Sequence, residues 1–228
     1  MRKRWELISQ SMRTEATGSM RYAVLLSGSG RTLENLLRAI DDRELEGKVV
    51  AVVSSRAGVR GLEVARHAGV PATIADRKRF ASDRAFSTSI YEALAPFDPH
   101  LILLAGFLRK LHVRPAWERR ILNIHPALLP EMAGASGRGF YGDRVHAAVL
   151  ESGATRSGAT VHIVDNGYDT GSVVMTEVVP VLPSDSVHEL AARVFAAECR
   201  LYPTAISKYV AQNEHWIRET PGLIAKGS

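Results

Sequence analysis

The sequence of 228 residues predicts a doubly wound α/β fold. From Met20 onward, short apolar runs alternate with amphipathic segments of helix length, which indicates parallel strands joined by right-handed crossovers. The apolar runs are continuous rather than alternating, as expected of strands that are covered on both faces. Two later Val-rich runs are separated only by residues 165–171, too few for a crossover helix, and should pair antiparallel. The expected architecture is therefore Rossmann-like: a mostly parallel sheet with antiparallel C-terminal strands.

The first part of the chain is expected to contain strands alternating with helices. Continuous apolar runs predict strands at residues 22–26, 48–53, 71–74, 101–104 and 121–125, the last ended by Pro126. Helices are predicted where Leu33, Leu36, Leu37 and Ile40 repeat at helical spacing, within residues 55–69, and from a cap at Ser82 or Asp83 to Leu94.

After Pro130 the composition changes, and a different arrangement is expected. The Gly-rich residues 131–142 predict a long surface loop, and residues 145–150 a short helix. Strands are predicted at residues 159–164 and 172–181. Ser186 and Glu189 have the spacing of a capping box and should open a long amphipathic helix. Pro203 is expected to kink or end that helix because proline lacks the N–H of the helical hydrogen bond.

Composition predicts a cytoplasmic globular protein. The chain has one cysteine, Cys199, and no apolar run near the roughly 18 residues that cross a bilayer, so neither a disulfide nor a membrane span is expected. The net charge is +5, with 29 Lys and Arg against 24 Asp and Glu scattered along the chain, which does not favour a nucleic-acid partner. Residues 1–19 are predicted to be a flexible extension, 20–216 a single domain and 217–228 a tail.

A glycine-rich turn is the first candidate for ligand binding. Residues 27–32, Ser-Gly-Ser-Gly-Arg-Thr, lie between a predicted strand and a predicted helix. The N–H groups at the start of a helix suit a phosphate, and Arg31 would add a positive charge. The pattern is neither a dinucleotide fingerprint nor a Walker A loop, so a plain tight turn remains the alternative.

Asn123 and His125 form the second candidate site. Alternation along a strand places both side chains on one face, near the carboxyl end where α/β sheets bind ligands. An amide donor beside an imidazole can stabilise an oxyanion and move a proton. For His125 alone, the alternative is a buried histidine satisfied by the backbone.

The loop after the strand that ends near His162 supplies the third candidate. Asp169 could lie near His125, orient the ring and raise its pKa, since a nearby negative charge favours the imidazolium. Asp165, followed by Asn166 and Gly167, is better explained as a turn residue. The histidines are dispersed without metal-ligand spacing, so no metal site is predicted.

Several motifs in this order resemble the folate-dependent formyltransferases, in particular those that formylate glycinamide ribonucleotide. The resemblance covers about residues 20–216. The motifs that carry it are Asn123-Ile-His-Pro-Ala-Leu-Leu-Pro130, Gly139-Phe-Tyr-Gly142 with Val145-His146-Ala-Ala-Val-Leu150, Ser157-Gly-Ala-Thr-Val-His162, Tyr168-Asp-Thr-Gly171, Ala105-Gly-Phe-Leu-Arg109 and Glu198-x-x-x-Tyr-Pro203. It implies a formyltransferase fold with a phosphate-binding half at 20–119 and a catalytic, folate-binding half at 120–216.

The resemblance also implies a reaction and a set of site residues. The formyl group of 10-formyltetrahydrofolate would pass to the amine of glycinamide ribonucleotide, with Asn123, His125 and Asp169 at the reaction centre and no metal. Substrate contacts are implied for Gly28, Ser29, Gly30, Arg31, Thr32 and Glu198. Folate contacts are implied for Leu108, Arg109, Lys110, Leu111, Asn123, Asp165, Asn166, Gly167, Tyr168 and Asp169.

Departures from the family pattern leave alternatives open. The family usually has Ser-Asn at Arg31-Thr32, Ser at Ala127, Pro at Ser172 and Gln at Thr176. A hydrolase of the formyl-folate, or a transferase with another amine acceptor, is therefore the alternative function. The expected partners are small molecules only, and the protein is expected to be a monomer or a homodimer.

Overall fold

The strands and helices form where the apolar runs and amphipathic repeats indicate. The computed structural model of the protein describes residues 19–130 and 142–219. Outside the described residues lie residues 1–18 of the predicted extension, residues 131–141 of the loop predicted at 131–142, which include motif residues 139–141, and residues 220–228 of the predicted tail.

A seven-stranded sheet forms the centre of the molecule. Its strands are β1 (Arg21–Leu26), β2 (Lys48–Ser54), β3 (Ala72–Ile74), β4 (Leu101–Leu104), β5 (Ile121–His125), β6 (Arg156–Ile163) and β7 (Val173–Pro180). The spatial order is β3-β2-β1-β4-β5-β6-β7. The pairs from β3 to β5 are parallel, whereas β5 with β6 and β6 with β7 are antiparallel. The predicted fold class is confirmed.

Helices cover both faces of this sheet. They are α1 (Arg31–Asp41), α2 (Arg60–His67), α3 (Asp83–Leu94), α4 (Asp143–Glu151) and α5 (Val187–Glu219). One apolar core joins alternate strand residues to α1, α2, α4 and α5, and a second joins the other strand residues to α3 and Trp117. Continuous apolar strands follow from this arrangement, because β1, β2, β4 and β5 each have a core on both sides.

Strand order creates a cleft at the carboxyl ends of β1 and β4. The chain moves outward from β1 to β2 and β3, then returns to the other side of β1 as β4. The loops after β1 and β4 therefore leave the sheet in opposite directions, which opens a crevice between them. Ser27 ties the two loops together, because its backbone N–H donates to Gly106 O and its Oγ accepts from Leu108 N.

Both predicted helix caps are present. Ser82 Oγ accepts a hydrogen bond from Ala85 N at 3.1 Å at the start of α3. At the start of α5, Ser186 Oγ accepts from Glu189 N at 3.3 Å, and Glu189 Oε2 accepts from Ser186 N at 2.8 Å. These reciprocal bonds satisfy donors that the first helical turn leaves unpaired.

The segment predicted to be helical at 55–69 forms a shorter helix. α2 begins only at Arg60, because a turn intervenes after β2. Ser54 Oγ accepts from Arg56 N and donates to Arg56 O, and Gly58 has a positive φ of 66°. Local hydrogen bonding by a serine side chain competes with helix formation in this way.

Of the two predicted effects of Pro203, a kink or an end of the helix, the end is wrong, since α5 continues to Glu219. Proline removes the N–H that would bond to the carbonyl of Cys199, four residues earlier. Asn35 of α1 replaces that donor: its Nδ2 bonds to Cys199 O at 2.9 Å. The helix therefore passes through Pro203 with the freed carbonyl satisfied from outside.

The end of α5 lies beyond the boundary predicted at residue 216. Ile217 is fully buried, and the carbonyls of Trp216 and Ile217 accept hydrogen bonds from the Arg120 guanidinium. Arg120 also donates to His100 O, so its buried charge ties the end of α5 to the segment before β4.

Candidate active site

A cavity of about 830 Å³ lies along the carboxyl edge of the parallel strands. Its walls come from the loops after β1, β2, β3 and β4, the end of β5, the start of α4, the loop between β6 and β7, and the inner face of α5. Its size falls within the range of about 300–1,000 Å³ found for small-molecule sites. Most of the residues with implied site roles line it.

Asn123 and His125 reach this cavity from β5, as their alternation predicts. His125 is almost fully buried and Asn123 is half-buried. Thr160, opposite His125 on β6, donates to Ala127 O at 2.7 Å and accepts from Leu129 N at 3.0 Å. These two bonds hold the turn that follows His125.

Asp169 reaches the same end of the cavity from the loop between β6 and β7. Its Oδ2 lies 3.7 Å from His125 Nδ1, an ion-pair distance rather than a hydrogen bond. Its backbone has a positive φ of 54°, which aspartate tolerates better than most residues. Gly171 permits the return of the loop, because a Cβ there would lie 1.7 Å from the carbonyl oxygen of Ile163. The predicted approach of Asp169 to His125 is observed.

His162 is a fourth polar residue at this end of the cavity, and no role is predicted for it from the sequence alone. Register places it directly opposite Asn123 across β5 and β6. Its Nε2 lies 3.1 Å from Asn123 Nδ2 and 3.5 Å from Asp169 Oδ1. The sequence contains one signal for His162, its place in the motif at residues 157–162, where polar residues alternate with apolar ones. The partner of its side chain follows only from the register between β5 and β6.

The glycine-rich turn after β1 has the geometry expected of a tight helix entry. Gly30 precedes α1 with a positive φ of 75°, and a Cβ at that position would lie 2.5 Å from the Cα of Gly61. Gly28 O accepts from Gly61 N, so both glycines shape the turn through close backbone contact. Ser29, Arg31 and Thr32 line the cavity.

Arg31 and Glu198 face the same part of the cavity from α1 and α5. The Arg31 guanidinium lies over the Phe195 ring, 3.6 Å from its centroid, which holds the cation in place. Burial raises the pKa of Glu198 to about 8, and Arg31 opposes this effect. Near neutral pH the Glu198 carboxyl is therefore mostly protonated and can donate a hydrogen bond.

The loop after β4 forms the opposite wall. Leu108, Arg109, Lys110 and Leu111 all line the cavity, together with Phe107. Lys110 Nζ lies 4.9 Å from the centroid of the Tyr168 ring. Arg109 Nε is buried and has no hydrogen-bond partner among residues 19–130 and 142–219. An unpaired buried donor in a cavity wall is a candidate contact for a polar ligand.

The side chains of Asp165 and Asn166, two of the implied folate contacts, form hydrogen bonds within the protein. Asp165 Oδ1 accepts from Gly167 N and Thr170 Oγ1, each at 2.8 Å, so it forms the predicted turn while also lining the cavity. The Asn166 side chain is turned toward the chain after β4: its Oδ1 accepts from Val113 N and its Nδ2 donates to Val113 O. Asn166 anchors the loop that carries Gly167, Tyr168 and Asp169.

Several cavity residues have no role predicted from the sequence. Arg56 and Arg77 follow β2 and β3, so the cavity wall has a basic residue after three neighbouring strands. Arg77 Nε bonds to Asp83 Oδ1 at 2.6 Å. His146 of α4 lines the cavity near His125, and burial lowers the pKa of its imidazole.

No group of three or more potential metal ligands occurs within the described ranges. Among the helices of the part of the chain that the structure describes, none has the length and apolar character needed to cross a membrane.

Residues 20–206 match the sequence profile of a family described as Formyl transferase. The chain is 40% identical over 192 residues to the trifunctional purine biosynthetic protein adenosine-3 of Gallus gallus, covering 83% of this chain and 18% of that protein. It is 35% identical over 206 residues to the chloroplastic phosphoribosylglycinamide formyltransferase of Vigna unguiculata, covering 90% of this chain and 65% of that protein. The chain thus spans less than two thirds of the length of either relative.

Among solved structures, the fold is similar to glycinamide ribonucleotide transformylase 1 from Symbiobacterium toebii. The TM-score is 0.77 at 37% sequence identity, over 87% of this chain and 91% of that one.

Proposed function

Because this chain belongs to the formyl transferase family, we propose that it transfers a formyl group from 10-formyltetrahydrofolate to the amine of glycinamide ribonucleotide, a step of purine synthesis. The observation that supports this most directly is the meeting of Asn123, His125 and Asp169 at one end of a cavity of ligand size. The relatives named for this activity support the choice of acceptor.

The chemistry requires stabilisation of an oxygen that gains negative charge. The carrier supplies the formyl carbon and takes up a proton on the nitrogen that releases it. Asn123 can donate an amide N–H to the formyl oxygen as the amine attacks. His125, near the Asp169 carboxylate, can act as a charged second donor. Asp169 also lies where it can pass the proton of the attacking amine onward through a water.

The cavity wall formed by the loop after β4 fits the folate that carries the formyl group. Phe107, Leu108 and Leu111 offer apolar surface for a fused ring, and the Nε of Arg109, which has no partner among the described residues, offers a donor. Gly167 and Tyr168 would close the opposite side. No step of the proposed reaction needs a metal.

The other end of the cavity fits a phosphorylated acceptor. The turn at Gly28–Thr32 presents backbone N–H groups at the start of α1, with no side chain of its own capping them. Arg31 adds a fixed positive charge, and Glu198 lies close enough to act on the same ligand. We propose that phosphate binds at Arg31 and Thr32 and that Glu198 contacts the sugar.

The remaining expectations accompany this proposal. Residues 20–216 would act as one domain, with the phosphate-binding half at 20–119 and the catalytic half at 120–216. The protein would work in the cytoplasm as a monomer or homodimer, on small molecules rather than on nucleic acid or membranes.

A transfer assay with a no-acceptor control tests the function. Purified protein with 10-formyltetrahydrofolate is expected to consume it only when glycinamide ribonucleotide is added, with formylated ribonucleotide formed in equal amount. Equal consumption without the amine would favour hydrolysis instead. Consumption only with a different phosphorylated amine would keep the transferase and change the acceptor.

Substitution of Arg31 tests the phosphate site. Arg31→Ala should raise the KM for the ribonucleotide about 10-fold or more, the loss expected for a charge-assisted bond, while leaving the KM for the folate unchanged. Arg38→Ala is the matched control, because it removes the same charge from the exposed side of the same helix. An unchanged ribonucleotide KM in Arg31→Ala would place the phosphate elsewhere.

A further inference from the structure

We propose that His162 is a positioning residue for the transfer reaction: a neutral imidazole, protonated on Nδ1, that fixes the amide of Asn123 so that its second N–H is available to the reacting oxygen. The inference rests on the proposed function and adds to it a residue that does not itself touch the substrate. Three contacts within the described residues bear on it, with Ile163, Asn123 and Asp169.

The first contact assigns the proton on Nδ1. His162 Nδ1 lies 3.0 Å from the carbonyl oxygen of Ile163. A carbonyl oxygen can only accept, so Nδ1 must carry the hydrogen of this bond. The ring is thereby anchored to the backbone of its own strand, at the same carbonyl that Gly171 approaches closely.

The second contact assigns the other ring nitrogen. His162 Nε2 lies 3.1 Å from Asn123 Nδ2, and an amide nitrogen can only donate. Nε2 must therefore be an unprotonated acceptor. With a proton on Nδ1 and none on Nε2, the ring is neutral.

The orientation of Asn123 follows from this tautomer. One of its two amide hydrogens is used by His162, and the other N–H remains for a ligand in the cavity. If His162 Nε2 carried a proton, two N–H donors would face each other, and the side-chain amide of Asn123 would have to flip. That rotation would exchange the positions of the donor nitrogen and the acceptor oxygen, and so remove the donor from the place where negative charge develops.

The third contact bears on which of the two rings beside Asp169 is charged. Asp169 Oδ1 lies 3.5 Å from His162 Nε2, and Oδ2 lies 3.7 Å from His125 Nδ1. Two charged imidazoles this close would repel each other. Because Asn123 occupies Nε2 of His162 as a donor, the positive charge belongs on His125. Asn123 thus determines which of the two rings next to Asp169 is charged.

A pair of isopolar variants separates the two ring nitrogens. In His162→Gln, the side-chain oxygen can reach the place of Nε2 and accept from Asn123. In His162→Asn, the shorter amide can replace only the Nδ1 donor to Ile163. His162→Asn should lower kcat by about 10²-fold, as loss of a placed oxyanion donor does. The kcat of His162→Gln should stay within about 10-fold of that of the unsubstituted protein. Both KM values should change by less than about threefold. Equal losses in the two variants would overturn the proposal.

A double-mutant cycle tests whether His162 acts through Asn123. In the Asn123→Ala background, His162→Asn should lower kcat by less than about threefold, because the amide it positions is gone. A full additional 10²-fold loss in that background would show that His162 acts independently and would contradict the proposal.

Nuclear magnetic resonance provides a readout that does not depend on turnover. In ¹⁵N-histidine-labelled protein at neutral pH, the resonance that disappears in His162→Gln should show a neutral ring protonated at Nδ1. A ring protonated at Nε2 would refute the assignment. If the unsubstituted protein proved inactive with glycinamide ribonucleotide, the proposed function would fail while this measurement still decided the tautomer.

Discussion

Glu198 is a cavity residue whose protonation is altered by burial. Burial raises the pKa of its carboxyl from 4.5 to about 8 in the folded protein. Between those pH values the folded state binds more protons than the unfolded state. Stability therefore falls as pH rises through that window, since the stability gradient follows the difference in bound protons.

Replacing this carboxyl by an amide removes the group that titrates. The difference in free energy of unfolding between Glu198→Gln and the unsubstituted protein should shift in favour of the variant by about 1–3 kcal/mol on going from pH 5 to pH 8.5. Urea unfolding at the two pH values measures the difference. Glu214→Gln, an exposed carboxyl on the same helix, should show no such gain. The same relative stability for Glu198→Gln at both pH values would mean that Glu198 is ionised throughout.

The sequence predicts the roles of single residues best where local backbone geometry decides which way their side chains point. Alternation along β5 places Asn123 and His125 on one face whatever the rest of the fold does. Asp165 could be assigned to a turn because its side chain bonds within its own loop. The partner of His162 could not be assigned in the same way, because Asn123 lies 39 residues away and meets it only through the pairing register.

At the scale of elements, α5 depends on a contact that its own sequence does not contain. Pro203 leaves Cys199 O without its helical donor, and Asn35 of α1 supplies the replacement. The two positions should therefore be energetically coupled, since each matters only because of the other.

A stability cycle measures this coupling. Asn35→Ala should lower the free energy of unfolding by about 1–3 kcal/mol, because it leaves a carbonyl unpaired at the helix interface. With Pro203→Ala also present, the helix regains its own donor, and the loss from Asn35→Ala should shrink by about 1 kcal/mol. Denaturant unfolding of the four proteins supplies the numbers. Strictly additive losses would mean that Asn35 does not compensate for the proline.

For the whole molecule, the end of α5 is part of the folded unit. Arg120 is buried, and its guanidinium bonds to the carbonyls of His100, Trp216 and Ile217. Loss of the last turns of α5 would leave this cation with unpaired N–H groups, a costly state for a buried charge.

Truncations test which residues the fold requires. A protein ending at residue 219 should unfold at the same temperature as the full chain, and so should one starting at residue 19. A protein ending at residue 212 should lose about 3 kcal/mol or more, because Arg120 loses two acceptors and Ile217 leaves the core. Thermal unfolding followed by circular dichroism compares them. A large loss on removing residues 1–18 would contradict the assignment of those residues as an extension.

The sequence by itself determined the layers and the chemistry at the strand ends. Apolar period and run length depend only on neighbouring residues, so they indicate which segments are strands, which are helices and which side chains leave β5 together. Tertiary structure alone decided that His162 meets Asn123, that Asp169 lies between two imidazoles, and that Asn35 lets α5 continue past Pro203. These outcomes depend on the order and register of whole elements, because contacts between distant segments form only when the sheet and its covering helices have been assembled.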